Sequence, residues 1–84
     1  MQQIARTPTQ IGYALRRKRR QLGLTQASLG ENANLRQATI SALEAGEASA
    51  QLRTVCAILA ALDLELVVRA RTKGDAAEEI EEIF

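Results

Sequence analysis

The stretch LTQASLGENANLRQATISALEAG, residues 24–46, predicts two short helices separated by a tight turn. Thr25 is a favourable N-cap for the first helix, because its hydroxyl can accept a hydrogen bond from an early backbone N–H. Asn34 tolerates the left-handed backbone conformation that a tight turn requires. The second helix is expected to begin near Gln37 and to stop at Gly46, since glycine is common just after a helix.

The second of these helices has an unusually bare outer face. Ile40 and Leu43 fall together on a helical wheel, so we expect them to point into a core. The opposite side carries only small or uncharged residues, namely Gln37, Ala38, Ser41, Ala42 and Ala45. A solvent-facing helix usually fills such a face with long charged side chains. Either this face packs against another helix, or it enters a DNA major groove, where glutamine, serine and alanine can all contact base edges.

The preceding segment predicts a basic first helix, which begins at Thr7-Pro8 or Thr9 and ends at Gly23. We expect its buried side to consist of Ile11, Leu15 and Leu22. Its outer surface carries RRKRR, residues 16–20. Five consecutive bases cannot share one side of a helix, so two or three of them are expected on DNA phosphates. The alternative is that the run is only a solvated helix face.

A fourth helix is expected from about Gln51, followed by one β-strand. The apolar residues expected on its core side are Leu52, Val55, Cys56, Leu59 and Leu62. Residues 64–71 then alternate between apolar and polar, which is typical of a strand. A lone strand needs a partner, so we expect it to pair with the same strand of a second copy. The residues expected in this dimer contact are Leu64, Leu66, Val67 and Val68. A hairpin with the N-terminal residues is the alternative.

The composition predicts one small, mainly all-α domain of four to five helices with this one strand. The chain has no histidine and a single cysteine, Cys56, so neither an internal disulfide nor a metal cluster is expected. We expect Cys56 to be buried as a small apolar residue. No apolar run is long enough for a membrane span or a signal peptide, which predicts a cytoplasmic protein without a membrane partner.

The charge distribution predicts a basic body and an acidic tail. Of the 84 residues, the first 73 carry a formal charge of +6 and the last eleven carry −5. We divide the chain into a DNA-binding domain (1–63), a dimerisation strand (64–71) and an acidic flexible tail (72–84). Ile80, Ile83 and Phe84 lie at helical spacing in this tail, which is typical of a segment that folds on a partner. The alternative is a disordered solubilising end.

Residues 24–46 also resemble the helix-turn-helix of phage repressors and the XRE family. The matching residues are Leu24, Thr25, Gln26, Leu29, Glu31, Ala33, Gln37, Thr39, Ile40, Ser41, Leu43, Glu44 and Gly46. Within that family the chain is similar to the HipB antitoxins, which share a basic residue followed by QATIS, an LELVV-type strand and an acidic tail ending in an aromatic. The resemblance implies a repressor-like bundle that dimerises, binds operator DNA and neutralises a HipA-type serine/threonine kinase toxin of one or two chains.

The resemblance also implies roles for individual residues. Those expected to face bases are Arg36, Gln37, Ala38, Ser41 and Ala42. On phosphates it implies Gln26, which would also brace Gln37, and Thr39; from the basic run itself we expect Arg16, Arg17 and Arg20 there. Arg19 and Glu44 match a pair that forms a buried salt bridge in relatives. Gly30 stands where relatives carry alanine, which we interpret as a demand for close packing.

The leading hypothesis is therefore an autoregulating repressor and antitoxin. The alternatives are a stand-alone phage-type repressor with an inert tail, and a protein-binding regulatory subunit that has lost DNA binding. An enzyme is not expected, because the sequence offers no catalytic histidine, metal cluster, glycine-rich phosphate loop or activated nucleophile. No cofactor is expected either.

Overall fold

The computed structural model describes residues 3–47 and 49–71, and this part of the chain contains four helices and no strand. The helices are α1 (Pro8–Gln21), α2 (Gln26–Ala33), α3 (Gln37–Glu44) and α4 (Leu52–Ala61). The all-α helix-turn-helix bundle is thereby confirmed. None of the described helices has both the length and the apolar character needed to cross a membrane.

Local capping sets the boundaries of α1 and α2. The Thr7 hydroxyl accepts a hydrogen bond from the Gln10 N–H at 3.1 Å, with Pro8 at the first helical position. At α2, the Ser28 N–H donates to the Thr25 hydroxyl at 3.0 Å while the Thr25 N–H donates to the Ser28 hydroxyl at 2.9 Å. Asn34 ends α2 with a φ of 58°, in the left-handed region. The start and stop residues expected from the sequence are confirmed here.

The core forms where α3 packs against α1 and α2, and where α2 packs against α4. Its buried apolar residues are Leu15, Leu29, Ile40, Leu43, Ile58 and Leu62. Ile40 and Leu43 come from the inner face of α3, as its spacing predicted. The core therefore holds α3 by one side only.

Several residues expected in the core are exposed instead. Ile11 of α1 is 37 % exposed, Leu22 just after α1 is 47 % exposed, and Leu52 of α4 is 69 % exposed. The prediction that Cys56 is buried is also wrong, because its side chain is exposed. The buried arc of α4 is rotated toward Ile58, which is 1 % exposed and was missing from the predicted set.

The segment after α4 has no ladder partner among the described residues. Leu64 packs against the core, and its N–H donates to the Leu59 carbonyl at 2.8 Å. Leu66 and Val67 are each 63 % exposed and Val68 is 92 % exposed. No hairpin with residues 3–7 forms, so that alternative is not realised. The expected pairing of this segment with a second copy stays a prediction.

Two glycines allow helices and turns to approach closely. A Cβ at Gly12 of α1 would lie 2.6 Å from the Glu44 carbonyl oxygen, at the end of α3. A Cβ at Gly30 of α2 would lie 2.7 Å from the Leu35 carbonyl oxygen, in the turn before α3. Both distances are below van der Waals contact, so alanine at either position would force backbone apart. The close-packing interpretation of Gly30 is confirmed.

A buried ion pair ties α1 to the end of α3. The Arg19 Nε donates to Glu44 Oε2 at 2.6 Å and its Nη2 donates to Oε1 at 3.0 Å, a bidentate arrangement. The remaining Arg19 nitrogen, Nη1, donates to the Leu24 carbonyl at 2.8 Å. The two side chains are only 9 % and 4 % exposed. The structure thus brings together the two residues that the resemblance singled out.

The environment of the pair shifts the Glu44 pKa. Burial alone would raise it, but hydrogen bonds from Arg19 and Gln26, with the nearby charges of Arg19 and Arg16, outweigh burial and lower the pKa of Glu44. The hydrogen bond to Glu44 correspondingly raises the pKa of Arg19, against the opposing effect of burial. Glu44 is therefore charged in the folded protein over the whole neutral range.

We predict that Glu44→Gln destabilises the fold by about 3–5 kcal/mol near pH 7, because Arg19 would keep a buried charge without its partner. Thermal unfolding followed by circular dichroism should show a melting temperature more than about 10 °C lower. Glu47→Gln removes an exposed carboxylate three residues away and serves as the matched control. Equal melting temperatures for the two variants would contradict a stabilising role for the pair.

The same variant should show a defined pH dependence. The native Glu44 pKa lies below its unfolded value, so the stabilisation is complete above about pH 4.3 and is lost as the pH falls through the native pKa. Denaturant unfolding at about pH 7 and pH 3 should therefore give a wild-type advantage over Glu44→Gln that shrinks in acid. An advantage that grows in acid would contradict this sign.

Candidate nucleic-acid interface

The outer face of α3 is open to solvent. Gln37, Ala38, Ser41 and Ala45 are exposed, and Thr39 and Ala42 are half-buried at its edges. No other described helix covers this side, since α3 meets α1 and α2 through Ile40 and Leu43. The helix-packing alternative for the bare face is therefore not realised within residues 3–47 and 49–71. Because these side chains are short, the backbone of α3 can come close to the surface of a ligand.

Arg36 stands at the entrance to this face. It occupies the N-cap position of α3 with an extended backbone and makes no side-chain capping bond. Its side chain is exposed, beside Gln37 in the first helical turn. The helix N-terminus carries a partial positive charge, and the Arg36 guanidinium adds a full one. This end of α3 can therefore meet either a phosphate or the acceptor edge of a guanine.

Gln26, the first residue of α2, lies at the base of the same region. Its amide Nε2 donates to Glu44 Oε1 at 3.2 Å, so it is the third member of the buried Arg19–Glu44 cluster. The expectation that Gln26 braces Gln37 is not met in this structure. The bond to Glu44 went unpredicted because it joins the first turn of α2 to the last turn of α3, and no local sequence signal reports that approach.

The basic run of α1 divides between core and surface. Arg19 points inward to Glu44, and Lys18 is half-buried. The remaining arginines, Arg16, Arg17 and Arg20, are all exposed. These three are the members of the run that were expected on phosphates, and the structure gathers them on one side of α1.

The exposed arginines line a shallow, open cleft of about 360 Å³, whose lining is Tyr13, Arg16, Arg17, Arg20 and Gln21. We call it the arginine cleft. Tyr13, 56 % exposed, supplies an aromatic side chain to the cleft and was not among the predicted site residues. Tyr13 precedes Arg16, Arg17 and Arg20 by three, four and seven residues. This spacing places the four residues on one helix face, so the sequence itself could have identified Tyr13 as part of the cleft.

The other predicted site residues fall into two groups. Leu66, Val67 and Val68 are exposed on the segment after α4, where a second copy would have access to them. Ile80, Ile83 and Phe84 of the predicted partner-binding tail lie outside the described residues. Among residues 3–47 and 49–71, no group of histidine, cysteine, aspartate or glutamate is placed to hold a metal ion.

Comparisons with known proteins agree with this geometry. The family model for helix-turn-helix domains matches residues 15–68, which include α2, α3, α4 and the second half of α1. No curated protein sequence matches the chain. Among solved structures, a HipB variant in complex with an O2 20mer is 34 % identical, with a TM-score of 0.77. That match covers 83 % of this chain and 97 % of HipB.

Two further structures extend the comparison. A HipA–HipB complex with O2 and O3 matches at 34 % identity and a TM-score of 0.74, with the same coverage of both chains. The restriction-modification controller protein C.AhdI from Aeromonas hydrophila is 28 % identical, with a TM-score of 0.65, covering 69 % of this chain and 84 % of that one. The chain belongs to the XRE-type helix-turn-helix family of DNA-binding regulators and is, within it, a HipB-like protein.

Proposed function

We propose that this protein is a sequence-specific repressor that binds operator DNA with α3 and also acts as the antitoxin of a HipA-like kinase. The observation that carries the DNA-binding part is the open face of α3. It is bare, uncharged and flanked by Arg36, on a chain 34 % identical to a protein solved on an O2 20mer. In this proposal the protein acts in the bacterial cytoplasm, where its operator lies.

The proposed contacts follow from the exposed groups. Arg36, Gln37 and Ser41 supply hydrogen-bonding groups for base edges, while Ala38 and Ala42 supply methyl groups for thymine. Arg16, Arg17 and Arg20 supply charge for phosphates, assisted by Gln26 and Thr39. The Arg19–Glu44–Gln26 cluster beneath them holds α1, α2 and α3 in one arrangement, so the contacts need little reorganisation on binding.

We predict that Gln37→Ala weakens binding to operator DNA by about 1–3 kcal/mol and relaxes preference at one base position. The Gln37 side chain has no structural role in α3, so the loss reports on base contacts. Arg17→Gln is the contrasting variant. It should weaken operator and random duplex alike and lower the salt slope by about one unit. Fluorescence anisotropy with both duplexes at several salt concentrations makes the comparison. Equal losses on both duplexes for Gln37→Ala would remove it from the base-reading set.

We also propose that the protein acts as a homodimer through residues 64–71. Three neighbouring apolar side chains, Leu66, Val67 and Val68, are exposed there, and exposed apolar side chains on an unpaired segment favour a second chain. Antiparallel pairing of two copies would satisfy their backbone groups and relate two α3 helices by a dyad. Such a dyad would read two half-sites spaced by one DNA turn or a multiple of it.

Val67→Pro tests the dimer. Proline removes a backbone donor from the proposed ladder, so sedimentation velocity should show monomers at concentrations where the wild type is dimeric. Val67→Thr keeps the donor and a β-branched side chain and should remain dimeric. An intact dimer for Val67→Pro would place the interface elsewhere.

The antitoxin part of the proposal rests on likeness to HipB, which has been solved with HipA on DNA. A stand-alone regulator is the second candidate, and the similarity to the controller protein C.AhdI favours it. The acidic residues 75–84 separate the two candidates. For the antitoxin we propose that Phe84 enters an apolar pocket of the kinase, with Ile80 and Ile83 beside it. Co-purification of a kinase from the native host would supply the partner.

We predict that Phe84→Ala weakens the complex with the co-purified kinase at least about tenfold, since a buried aromatic anchor commonly contributes 2 kcal/mol or more. Glu82→Gln, a matched change of one rim charge, should alter mainly the association rate and its salt dependence. Titration calorimetry measures both. Unchanged kinase affinity for Phe84→Ala would leave the stand-alone regulator as the better account.

A further inference from the structure

The arginine cleft has the features of a docking surface for an acidic peptide. Its three arginines carry full charges, and none of its five lining residues carries a carboxylate. Tyr13 offers an aromatic face beside the charges, and Gln21 offers an uncharged amide. Glu44 is the carboxylate with the strongest electrostatic effect on these arginines. Its side chain is 4 % exposed and already accepts hydrogen bonds from Arg19, so it does not neutralise the positive charge of the cleft.

The same chain carries a segment with complementary chemistry. Residues 75–84 contain five carboxylates (Asp75, Glu78, Glu79, Glu81 and Glu82) and no base. They also contain three large apolar residues, Ile80, Ile83 and Phe84, suited to the face of Tyr13. We propose that the arginine cleft binds this acidic segment of the chain itself, and that the segment competes there with DNA phosphates. This goes beyond the proposed repressor and antitoxin functions.

The segment can extend over much of the molecule. Thirteen residues follow Arg71, the last described residue, and an extended chain spans at most about 3.3–3.6 Å per residue. At full extension Glu78 and Glu82 lie at most about 23–40 Å from Arg71 and Phe84 roughly 45 Å from it, in a molecule whose longest dimension is 43 Å. Short flexible linkers that need not be stretched to their limit give an effective concentration of about 1 mM. A segment with an intrinsic dissociation constant of about 0.1 mM would then weaken phosphate binding roughly tenfold.

The direct test compares the full-length wild type with a full-length variant whose acidic segment is neutralised. The changes are Asp75→Asn, Glu78→Gln, Glu79→Gln, Glu81→Gln and Glu82→Gln. Arginine Nε–Hε signals are recorded by NMR without DNA or kinase, with Arg36 and Arg53 as internal references outside the cleft. We expect the signals of Arg16, Arg17 and Arg20 to differ between the proteins at low salt and to converge at about 0.5 M salt. Unchanged signals, or equal changes at Arg36 and Arg53, would overturn the proposal.

A second measurement separates local docking from overall charge. The neutralised variant should bind random duplex about tenfold more tightly than the wild type at low salt. In a background of Arg16→Gln, Arg17→Gln and Arg20→Gln, this gain should fall to within about twofold. A gain that persists in that background would show repulsion by net charge and refute docking. If no variant binds duplex, the repressor function fails, and the NMR comparison still decides the docking proposal.

Discussion

The buried pair of Arg19 and Glu44 is the interaction on which the arrangement of the other elements depends. It joins the last turn of α1 to the last turn of α3, and the remaining hydrogen bonds of the pair reach Leu24 and Gln26. One carboxylate therefore connects α1, α3 and the start of α2. Such a pair contributes little net stability over an apolar substitute, but losing one partner is costly. We infer that the pair fixes the geometry of the bundle more than it raises stability.

This constraint also sorts the basic residues of α1. With Arg19 turned inward, helical spacing directs Arg16, Arg17 and Arg20 to one outer side, together with Tyr13. Gly12, two turns before Arg19, brings α1 against the last carbonyls of α3. The charge of the surface and the position of α3 thus follow from the same helix contact. The six buried apolar residues come mainly from α2, α3 and α4, and α1 contributes only Leu15. The domain therefore positions α1 with little apolar core.

The sequence was informative where local chemistry decides the structure. Thr7, Thr25 and Asn34 set helix ends through bonds within a few residues, and all three were predicted. Exposed Leu52 and Cys56 were misassigned because a periodic pattern in α4 allows a neighbouring arc, and only packing against α2 selects Ile58. The contacts of Gly12 and Gln26 join residues distant in sequence and leave no local signal. The segment 64–71 has no ladder partner among the described residues, and its pairing with a second copy stays a prediction, because a single sequence carries no direct signal of a second chain.

The central claim is that the bare face of α3 is the surface that reads DNA. An NMR titration of the ¹⁵N-labelled full-length protein with a duplex from upstream of its own gene tests it most directly. The account predicts that the largest backbone shifts fall on residues 36–42 and on the first turn of α2. It predicts that the same titration with random duplex shifts the arginine cleft while leaving Gln37 and Ser41 less affected. A tightly bound upstream duplex that leaves the α3 face unperturbed would contradict the account.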